Sequence, residues 1–215
     1  FIMLLTQQGY VKRTAISSFA KISTRGLRII TLAPNDHLKW VRRCSDADAI
    51  VMGSRFGNAY RARMLSIPPH GRTSRGKRTM TLQEGDDIID MDVVPVRELD
   101  EMYLVVILES GRGKRVKASL VPMRKSLRSK GVAAIPKKSL ALGDAVVGIR
   151  VCHPDDQIML LTSSGIINRQ SLSSIPAQSR QARGVSVQKL SPGDSVTRMT
   201  IIRAGEQTSG DLEQL

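Results

Sequence analysis

Basic side chains that could bind phosphate groups recur at two kinds of position in this 215-residue chain. One kind follows a glycine in the motif G-x-x-x-R. The other lies in or beside a polar loop that ends in a basic residue followed by glycine. Arginine can grip a phosphate through two parallel hydrogen bonds, and we expect the adjacent glycine to let main-chain N–H groups approach it closely. The candidate residues are Lys12, Arg13, Arg25, Arg61, Arg63, Arg72, Arg75, Lys77, Arg78, Lys114, Arg115, Lys117, Lys125, Arg128, Lys130, Arg169, Arg180 and Arg183.

Residues that could catalyse a reaction or bind a metal are not grouped in the sequence. No His, Cys or carboxylate cluster has the spacing of a zinc site, and neither the P-loop motif nor the G-x-S-x-G motif occurs. The histidines are scattered, at His37, His70 and His153. Asp155 and Asp156 follow a proline, which is typical of a turn, and residues 111–114 (GRGK) match the hairpin turn of other segments. We expect no catalytic or metal site.

Three landmarks recur four times in the same order, which indicates an internal repeat. The first is the G-x-x-x-R motif, at Gly9/Arg13, Gly57/Arg61, Gly111/Arg115 and Gly165/Arg169. The second is a basic residue before glycine, at Arg25-Gly26, Arg75-Gly76, Lys130-Gly131 and Arg183-Gly184. The third is a turn, at Asn35-Asp36, Gly85-Asp86, Gly143-Asp144 and Gly193-Asp194. Equivalent landmarks are 48 to 58 residues apart, and this period with several strand-like segments per unit is typical of a propeller-type array.

The repeat predicts an all-β chain of four units, at residues 1–44, 45–96, 97–152 and 153–203, with a disordered polar tail at 204–215. Each unit begins with a hairpin that turns at glycine. In the first unit, residues 27–32 and 37–44 are predicted as the next two strands. Residues 121–126 are extra in the third unit and are expected to form a loop on a basic face. No apolar stripe of helical period is sustained, so helices should be few.

The charge distribution favours a polyanionic partner. The formal net charge is +14 and the pI is about 10.5, and a field of that size attracts phosphate. Residues 110–139 hold ten Lys or Arg and no acid, whereas residues 84–101 hold eight acids and one Arg. Aromatic residues are 3% of the chain, too few for the stacking platforms that single strands require. Duplex DNA, bound through its phosphates without base specificity, is the expected partner.

The cysteines and the apolar segments indicate a reduced, non-membrane setting. Cys44 and Cys152 end corresponding strands of two units, which favours reduced structural thiols and an intracellular location. No apolar run approaches the ~18 residues of a membrane span, and no secretory signal is visible. Because Phe1 already lies inside an apolar run, we expect the chain to be a piece of a longer polypeptide. Trp40, the one tryptophan, is expected to pack between neighbouring units.

Four segments carry a resemblance to a known family: residues 2–13 (IMLLTQQGYVKR), 37–43 (HLKWVRR), 179–185 (SRQARGV) and 156–169 (DQIMLLTSSGIINR). They resemble the C-terminal domain of the DNA gyrase A subunit, which is part of a type IIA topoisomerase. All four units take part. The first unit, from QQGYVKR through LKWVRR, is most similar to gyrases of plant or algal organelles, which would place the protein in a chloroplast or mitochondrion; a bacterial member would be cytoplasmic.

The resemblance implies a β-pinwheel, a propeller-like ring of about four four-stranded blades that exchange strands. Its basic rim, formed by the candidate residues above, would wrap duplex DNA so that the whole enzyme introduces negative supercoils. It also implies partners, namely the rest of the gyrase A subunit together with the B subunit in an A2B2 assembly. No cofactor is implied in this domain, because ATP and Mg are used elsewhere in the parent enzyme. The catalytic tyrosine likewise lies elsewhere, and Tyr10, Tyr60 and Tyr103 match strand positions.

Two features differ from the family pattern and keep alternatives open. Family members usually have six blades where four units are visible here, and the gyrase heptapeptide Q-R-R-G-G-x-G has no counterpart. One alternative is therefore a topoisomerase IV-type or gyrase-like domain that binds DNA without wrapping it. A second is a propeller that serves as a scaffold for protein interaction, which would present exposed apolar or aromatic residues on one rim. A free-standing enzyme is a third.

Overall fold

The computed structural model describes residues 1–125, 127–140 and 143–205, which form short strands and a few helical turns. The strands are β1 (Ile2–Thr6), β2 (Tyr10–Thr14), β3 (Leu38–Arg43), β4 (Asp48–Ser54), β5 (Asn58–Arg63), β6 (Lys77–Arg78), β7 (Ile88–Pro95), β8 (Tyr103–Leu108), β9 (Arg112–Lys117), β10 (Met123–Arg124), β11 (Val132–Ala133), β12 (Val146–Cys152), β13 (Gln157–Thr162), β14 (Ile167–Ser171), β15 (Val185–Ser186) and β16 (Val196–Ile202). One helix, α1 (Val96–Leu99), and 3-10 turns at Ile16–Phe19, Met64–Ser66, Ala118–Leu120, Lys137–Ser139 and Leu172–Ser174 complete the described elements. The expected all-β class is confirmed. The predicted disordered tail lies outside the described residues apart from Ala204 and Gly205.

The strands form four sheets, and three of them include a strand from the following repeat. The first sheet has the order β3-β1-β2-β6, in which β6 comes from the second repeat. The second has the order β7-β4-β5-β10, with β11 also paired to β5, and the third has the order β12-β8-β9-β15. The fourth has the order β16-β13-β14. Each repeat after the first therefore donates strand residues to the sheet before it.

Three details of the sequence interpretation are wrong, and all concern donated strands. Residues 27–32 form no strand, because the matching segments of later repeats pair with a preceding sheet and the first repeat has none in this chain. Residues 121–126 include β10, which pairs in parallel with β5, and Ser126 lies outside the described residues. The sheets are not uniformly four-stranded, because the second receives both β10 and β11 and the fourth has three strands among the described residues.

Apolar cores lie between successive sheets, because the central strands are buried on both faces. Along β4, Ile50 and Met52 pack into the core shared with the first sheet, whereas Ala49 and Val51 pack into the core shared with the third. Successive side chains of a strand point to opposite faces, so a strand buried on both sides is a continuous apolar run. The strand β8 behaves in the same way toward the second and fourth sheets. Trp40 packs against the first of these cores, as expected.

Both cysteines are buried and free, as expected for structural thiols. Cys44 belongs to the core between the first and second sheets, and Cys152 to the core between the third and fourth. Burial raises the pKa of Cys152 to about 12. It is therefore a neutral apolar group at physiological pH. Among the residues described, no helix has the length and apolar character needed to cross a membrane.

The repeated aspartate of the third landmark closes the hairpin of its own sheet. In every repeat its carboxylate oxygen accepts a hydrogen bond from a main-chain N–H in the hairpin turn. The pairs are Gln8 and Asp36 at 3.0 Å, Phe56 and Asp86 at 2.9 Å, Ser110 and Asp144 at 3.1 Å, and Ser164 and Asp194 at 3.0 Å. This landmark therefore recurs for a structural reason.

The arrangement of the sheets gives the array a centre and a periphery. The strand β7 contacts β3 and β12, and β12 contacts β16, so the same edge of all four sheets faces the centre. The donated strands lie on the opposite edge. We call this peripheral region, residues 63–78, 117–125, 127–133 and 172–186, the outer rim. It contains the second and third 3-10 turns, the last one, and the polar loops that follow them.

Candidate nucleic-acid interface

The arginine of the G-x-x-x-R motif lies buried at a joint between two sheets in the first three repeats. Only 4, 6 and 8% of the surfaces of Arg13, Arg61 and Arg115 is exposed. In each, Nε donates a hydrogen bond to the carbonyl oxygen of the residue that directly follows the 3-10 turn of the next repeat. These acceptors are Ile67, Val121 and Ile175. The motif arginine thus fastens each sheet to its successor.

Carboxylates of the next repeat complete two of these joints. Arg13 pairs with Asp46, and Nη1 of Arg61 lies 2.6 Å from Oδ1 of Asp100. Because the three guanidinium groups are enclosed and already hydrogen-bonded, they could reach a phosphate only if the joint opened. We therefore remove Arg13, Arg61 and Arg115 from the candidate phosphate-binding set.

The fourth motif arginine, Arg169, has a different environment. It is exposed, and its Nε donates to Oε1 of Gln157 at 2.5 Å. Among the described residues, β14 pairs only with β13. Arg169 therefore remains an exposed cation, although it lies outside the outer rim.

Two lysines of the candidate set, Lys12 and Lys114, are fully buried. They precede the motif arginine in the first and third repeats, and each ammonium group donates to main-chain carbonyl oxygens of the next repeat's polar loop. Lys12 also donates to the carbonyl of Ile29 at 2.7 Å. Burial lowers the pKa of Lys12, and burial with the nearby Arg180 lowers the pKa of Lys114 to about 8. Neither lysine can contact a ligand directly.

The glycine of the basic-Gly pair serves the packing of sheets. At Gly76, φ is +89° and an added Cβ would lie 2.3 Å from the carbonyl oxygen of Val11 in the preceding sheet. At Gly184 an added Cβ would lie 2.7 Å from the carbonyl oxygen of Gly113. At Gly76, Gly131 and Gly184 the expectation that the glycine opens space for a phosphate is wrong, because its free side is occupied by the neighbouring strand, whereas at Gly26 an added Cβ meets nothing within 4 Å.

The remaining candidate cations are on the surface. Ten on the outer rim are exposed, Arg180 there is half-buried, and Arg25 and Arg169 are exposed elsewhere. The exposed rim cations are Arg63, Arg72, Arg75, Lys77, Arg78, Lys117, Lys125, Arg128, Lys130 and Arg183. All of them lie at the ends of second hairpin strands, in the polar loops or on the donated strands.

One groove of the outer rim gathers cations from two repeats. Its volume is about 840 Å³, and Lys77 and Arg78 of the second repeat face Lys125 and Arg128 of the third across it. The ring of Tyr10 also lines the groove, with the guanidinium carbon of Arg78 5.2 Å from the ring centroid. Strand exchange therefore brings together four cations that are far apart in sequence.

The acidic segment of the sequence lies mainly away from the outer rim. Asp92, on β7 at the central edge, accepts two hydrogen bonds from Nε of Arg150 at 3.0 Å and one from the main-chain N–H of Val151 at 2.7 Å. Burial raises the pKa of the neighbouring Asp90 to about 7. Two acids of this segment, Asp90 and Asp92, thus lie on a strand at the central edge.

Residues considered for catalysis have structural roles. Asp156 accepts hydrogen bonds from the main-chain N–H groups of His153 at 2.8 Å and Ala204 at 2.9 Å, and from Arg203 at 2.9 Å. Residues 111–114 form the turn and start of the β8–β9 hairpin, as expected. Within the part of the chain that the structure describes, no group of three or more His, Cys, Asp or Glu side chains could hold a metal ion.

Sequence reasoning missed the pairing between the buried lysines and the polar loops. Where a repeat has lysine before the motif arginine, as at Lys12 and Lys114, the next repeat has the loop R-x-x-R-G, at residues 72–76 and 180–184. Where tyrosine replaces that lysine, at Tyr60, the next loop departs from the pattern. This correlation is the signal in the sequence that could have revealed the pairing.

Strand donation, cores shared between sheets and a cationic periphery define a strand-exchanging propeller domain with a cationic outer rim. The chain belongs to the DNA gyrase C-terminal domain family. The family profile described as "DNA gyrase C-terminal domain, beta-propeller" matches residues 1–45, 48–95, 103–153 and 156–203.

Curated relatives of the chain are named as gyrase A subunits. The DNA gyrase A subunit of Synechocystis is 32% identical over 245 residues, which cover all of this chain and 28% of that protein. The probable chloroplastic/mitochondrial DNA gyrase A subunit of Oryza sativa is 33% identical over 224 residues, which cover 96% of this chain and 24% of that protein. The chain thus spans about a quarter of the length of these relatives.

Solved structures share the fold. The C-terminal domain of DNA topoisomerase IV superposes with a TM-score of 0.83 at 19% identity, covering 94% of this chain and 61% of that one. The DNA gyrase A C-terminal domain superposes with a TM-score of 0.78 at 24% identity, covering 94% and 65%. At these identities the similarity concerns the fold alone, and it confirms the expected β-pinwheel.

Proposed function

We propose that this domain binds duplex DNA through its outer rim, without base specificity, and bends or wraps it. It would do so as the C-terminal part of a DNA gyrase A subunit, in support of ATP-dependent negative supercoiling by the whole enzyme. The domain itself contributes no catalytic group and no cofactor in this proposal; the parent enzyme would be an ATP-dependent type II topoisomerase.

The observation that carries the proposal is the groove in which Lys77, Arg78, Lys125 and Arg128 meet. Four like charges in one open groove repel one another, and an anion placed there relieves that repulsion. Further exposed cations continue along the same edge of neighbouring sheets. A periphery of this kind can follow a curved duplex, whose phosphate contacts offset the elastic cost of bending.

The partners and the location follow from the same assignment. We infer that the domain works within an assembly of gyrase A and B subunits. The rice, Nicotiana benthamiana and Arabidopsis relatives are named chloroplastic/mitochondrial, so an organelle is the proposed location if the host is a plant or alga, and the bacterial cytoplasm otherwise.

A second candidate is a topoisomerase IV-type or gyrase-like domain that binds DNA without wrapping it. The heptapeptide Q-R-R-G-G-x-G has no counterpart in these 215 residues, which keeps this candidate open. The two candidates share the DNA interface and differ in the path of the bound duplex.

Binding to short duplex and single-stranded DNA at several salt concentrations tests the shared interface. We expect a preference for the duplex and a steep salt dependence, with about four or more counterions released. The variant Arg72→Ala/Arg75→Ala should weaken binding to all sequences alike. The matched control Lys39→Ala/Arg42→Ala removes two exposed charges from β3 at the central edge and should leave most of the affinity. Equal effects of the two variants would refute the assignment to the outer rim.

A separate measurement, the change in plasmid linking number, tests whether the bound DNA is wrapped. A nicked plasmid is religated with the chain bound, and the change in linking number is read after the protein is removed. A change that grows with bound protein supports wrapping. Tight duplex binding with no change supports the second candidate.

A further inference from the structure

The two buried lysines hold the polar loop of the next repeat by its carbonyl groups. Nζ of Lys114 lies 2.9, 2.9 and 2.7 Å from the carbonyl oxygens of Ser179, Arg180 and Ala182. Nζ of Lys12 lies 2.8, 2.5 and 3.2 Å from those of Gly71, Arg72 and Ser74. The two sets occupy the same places in the R-x-x-R-G loop. The arrangement is therefore a repeated device.

These inward carbonyls fix the direction of the amides that follow them. No peptide bond in the described chain is cis, and in a planar trans peptide the C=O and N–H point in opposite directions. The amides turned away from Lys114 belong to Arg180, Gln181 and Arg183, and those turned away from Lys12 belong to Arg72, Thr73 and Arg75. Among the hydrogen bonds of the described residues, none of these six amides has a protein acceptor. Each loop thus presents three free N–H donors.

The electrostatics of the loops favour an anion at these amides. The buried ammonium neutralises the negative ends of the peptide dipoles, which leaves their positive N–H ends facing outward. Main-chain N–H groups that face outward without a protein acceptor can donate hydrogen bonds to phosphate oxygens. The exposed guanidinium groups of Arg72, Arg75 and Arg183 lie on the same loops and add charge that a phosphate can pair with.

The third repeat provides an internal contrast. The buried Tyr60 takes the place of the lysine on β5 and brings no ammonium group. The following loop instead carries the exposed side chains of Lys125, Arg128 and Lys130. Its contribution to an interface must come from side chains.

We propose that residues 71–76 and 179–184 are two phosphate-binding loops, in each of which outward main-chain amides donate hydrogen bonds to phosphodiester groups of the DNA backbone. Lys12 and Lys114 are positioning residues that orient those amides without touching the DNA. The proposal rests on the proposed function, since it takes duplex DNA as the ligand. Because main-chain N–H groups contact phosphate and not base edges, the sites carry no sequence preference.

A matched pair of variants that differ in one amide tests the proposal. Arg180 is the second residue of the turn closed by the hydrogen bond from the N–H of Ala182 to the carbonyl oxygen of Ser179 at 3.2 Å. Proline is favoured at that position of a turn, and φ there is not positive, since Asn35 is the one non-glycine residue with positive φ in the described chain. Arg180→Pro deletes one of the three donors, whereas Arg180→Ala removes the same side chain and keeps the amide. We expect about tenfold weaker duplex binding by Arg180→Pro than by Arg180→Ala, the value of one hydrogen bond to a charged group. Equal affinities of the two variants, with equal thermal midpoints, would overturn the proposal.

Amide proton–nitrogen correlation spectra give a second readout that does not depend on the proline variant. Titration of the 215-residue chain with a short duplex should shift the amides of both loops downfield. In Lys114→Met the amides of residues 180, 181 and 183 should lose this response, while those of 72, 73 and 75 keep it. In the control Lys39→Met, which removes an exposed lysine from β3 at the central edge, both sets should respond. A response of all six amides that survives Lys114→Met contradicts the positioning role.

A further titration tests whether the phosphate comes from DNA. The results also separate failure of the proposed function from failure of the present inference. Inorganic phosphate should shift the same six amides at much higher concentration than duplex DNA, and shifts with phosphate alone would overturn the DNA assignment. If the unmodified chain binds no duplex at all, the proposed function fails. If it binds duplex normally while these amides stay unshifted, the present inference fails and the proposed function stands.

Discussion

Arg115 and Arg169 occupy the same place in consecutive repeats but differ in their surroundings, so together they test what the motif arginine does. Arg115 is 8% exposed, its Nε donates to the carbonyl oxygen of Ile175 at 2.6 Å, and its guanidinium carbon lies 4.9 Å from the ring centroid of Tyr103. Arg169 is exposed and donates to Gln157. We predict that Arg115→Met destabilises the fold and that Arg169→Met does not.

The magnitude follows from the hydrogen bond and the ring interaction that Arg115→Met removes. Methionine keeps part of the aliphatic length and removes the charge. A charge-assisted hydrogen bond whose removal leaves a buried carbonyl unpaired is worth about 2 kcal/mol, and the cation–π contact adds about 1 kcal/mol. A free-energy loss of about 3 kcal/mol lowers the thermal midpoint by roughly 6–12 °C for a chain of this size. At the exposed position of Arg169 the same substitution should change stability by about 0.5 kcal/mol or less.

Thermal and urea unfolding, followed by circular dichroism, measure both variants against the unmodified chain. Duplex affinity is measured in parallel at a temperature at which all three are folded. The joint role of Arg115 predicts a lower unfolding midpoint with little change in duplex affinity of the folded chain. An unchanged midpoint together with weakened duplex binding would refute it and return the motif arginines to the DNA interface.

Three further predictions concern the outer rim. Arg72→Ala/Arg75→Ala should lower the magnitude of the salt slope of duplex binding by about two, because two side chains that pair with phosphate are removed; an unchanged slope would count against direct contact. Gly76→Ala should destabilise the chain clearly more than Gly26→Ala, because both glycines have positive φ but the added Cβ would lie 2.3 Å from a carbonyl oxygen only at Gly76 and meets nothing within 4 Å at Gly26; equal drops in thermal midpoint would contradict the close packing. Burial lowers the pKa of Lys114 to about 8, so the unfolded chain holds more protons between about pH 8 and 10.5 and the stability contribution of this group rises with pH there. Duplex affinity should fall over the start of the same window, because the neutral amine has one N–H too few for three carbonyls, and titrations of Lys114→Met should lack that fall.

The sequence pattern was sufficient for the hairpin strands and their turns, because their causes are local. Glycine with positive φ at the hairpin turns, such as Gly9 and Gly57, is a requirement of the turn itself. Apolar runs such as that of β8 reflect burial on both faces of one strand. The aspartate of the third landmark is bonded within its own repeat. Each of these signals lies within a single unit, so the register of the repeat could be read directly.

Composition could not predict which basic side chains are buried and which are exposed, because burial depends on contacts between repeats. Lys12 meets a loop 59 residues further along the chain, through the carbonyl of Gly71. The residue type does not distinguish a buried lysine from a solvated one, and counting charges assigns both to the surface. The donated strands have the same limitation. Residues 27–32 have the composition of a strand but form none, since a strand also needs a partner.

Repetition of a cation is by itself ambiguous between a ligand and a joint, and the four repeats separate the two explanations. A cation that recurs because the joint recurs is buried wherever a following sheet exists and exposed where none does. The motif arginines behave in this way, with Arg13, Arg61 and Arg115 buried and Arg169 exposed. A cation that recurs because a ligand is bound should be exposed in every copy. The basic residues before glycine meet this criterion, at Arg25, Arg75, Lys130 and Arg183. The case for an anion-binding outer rim therefore depends on the basic-Gly loops, and the G-x-x-x-R motif, which repeats just as faithfully, is evidence for the joints that hold those loops in place.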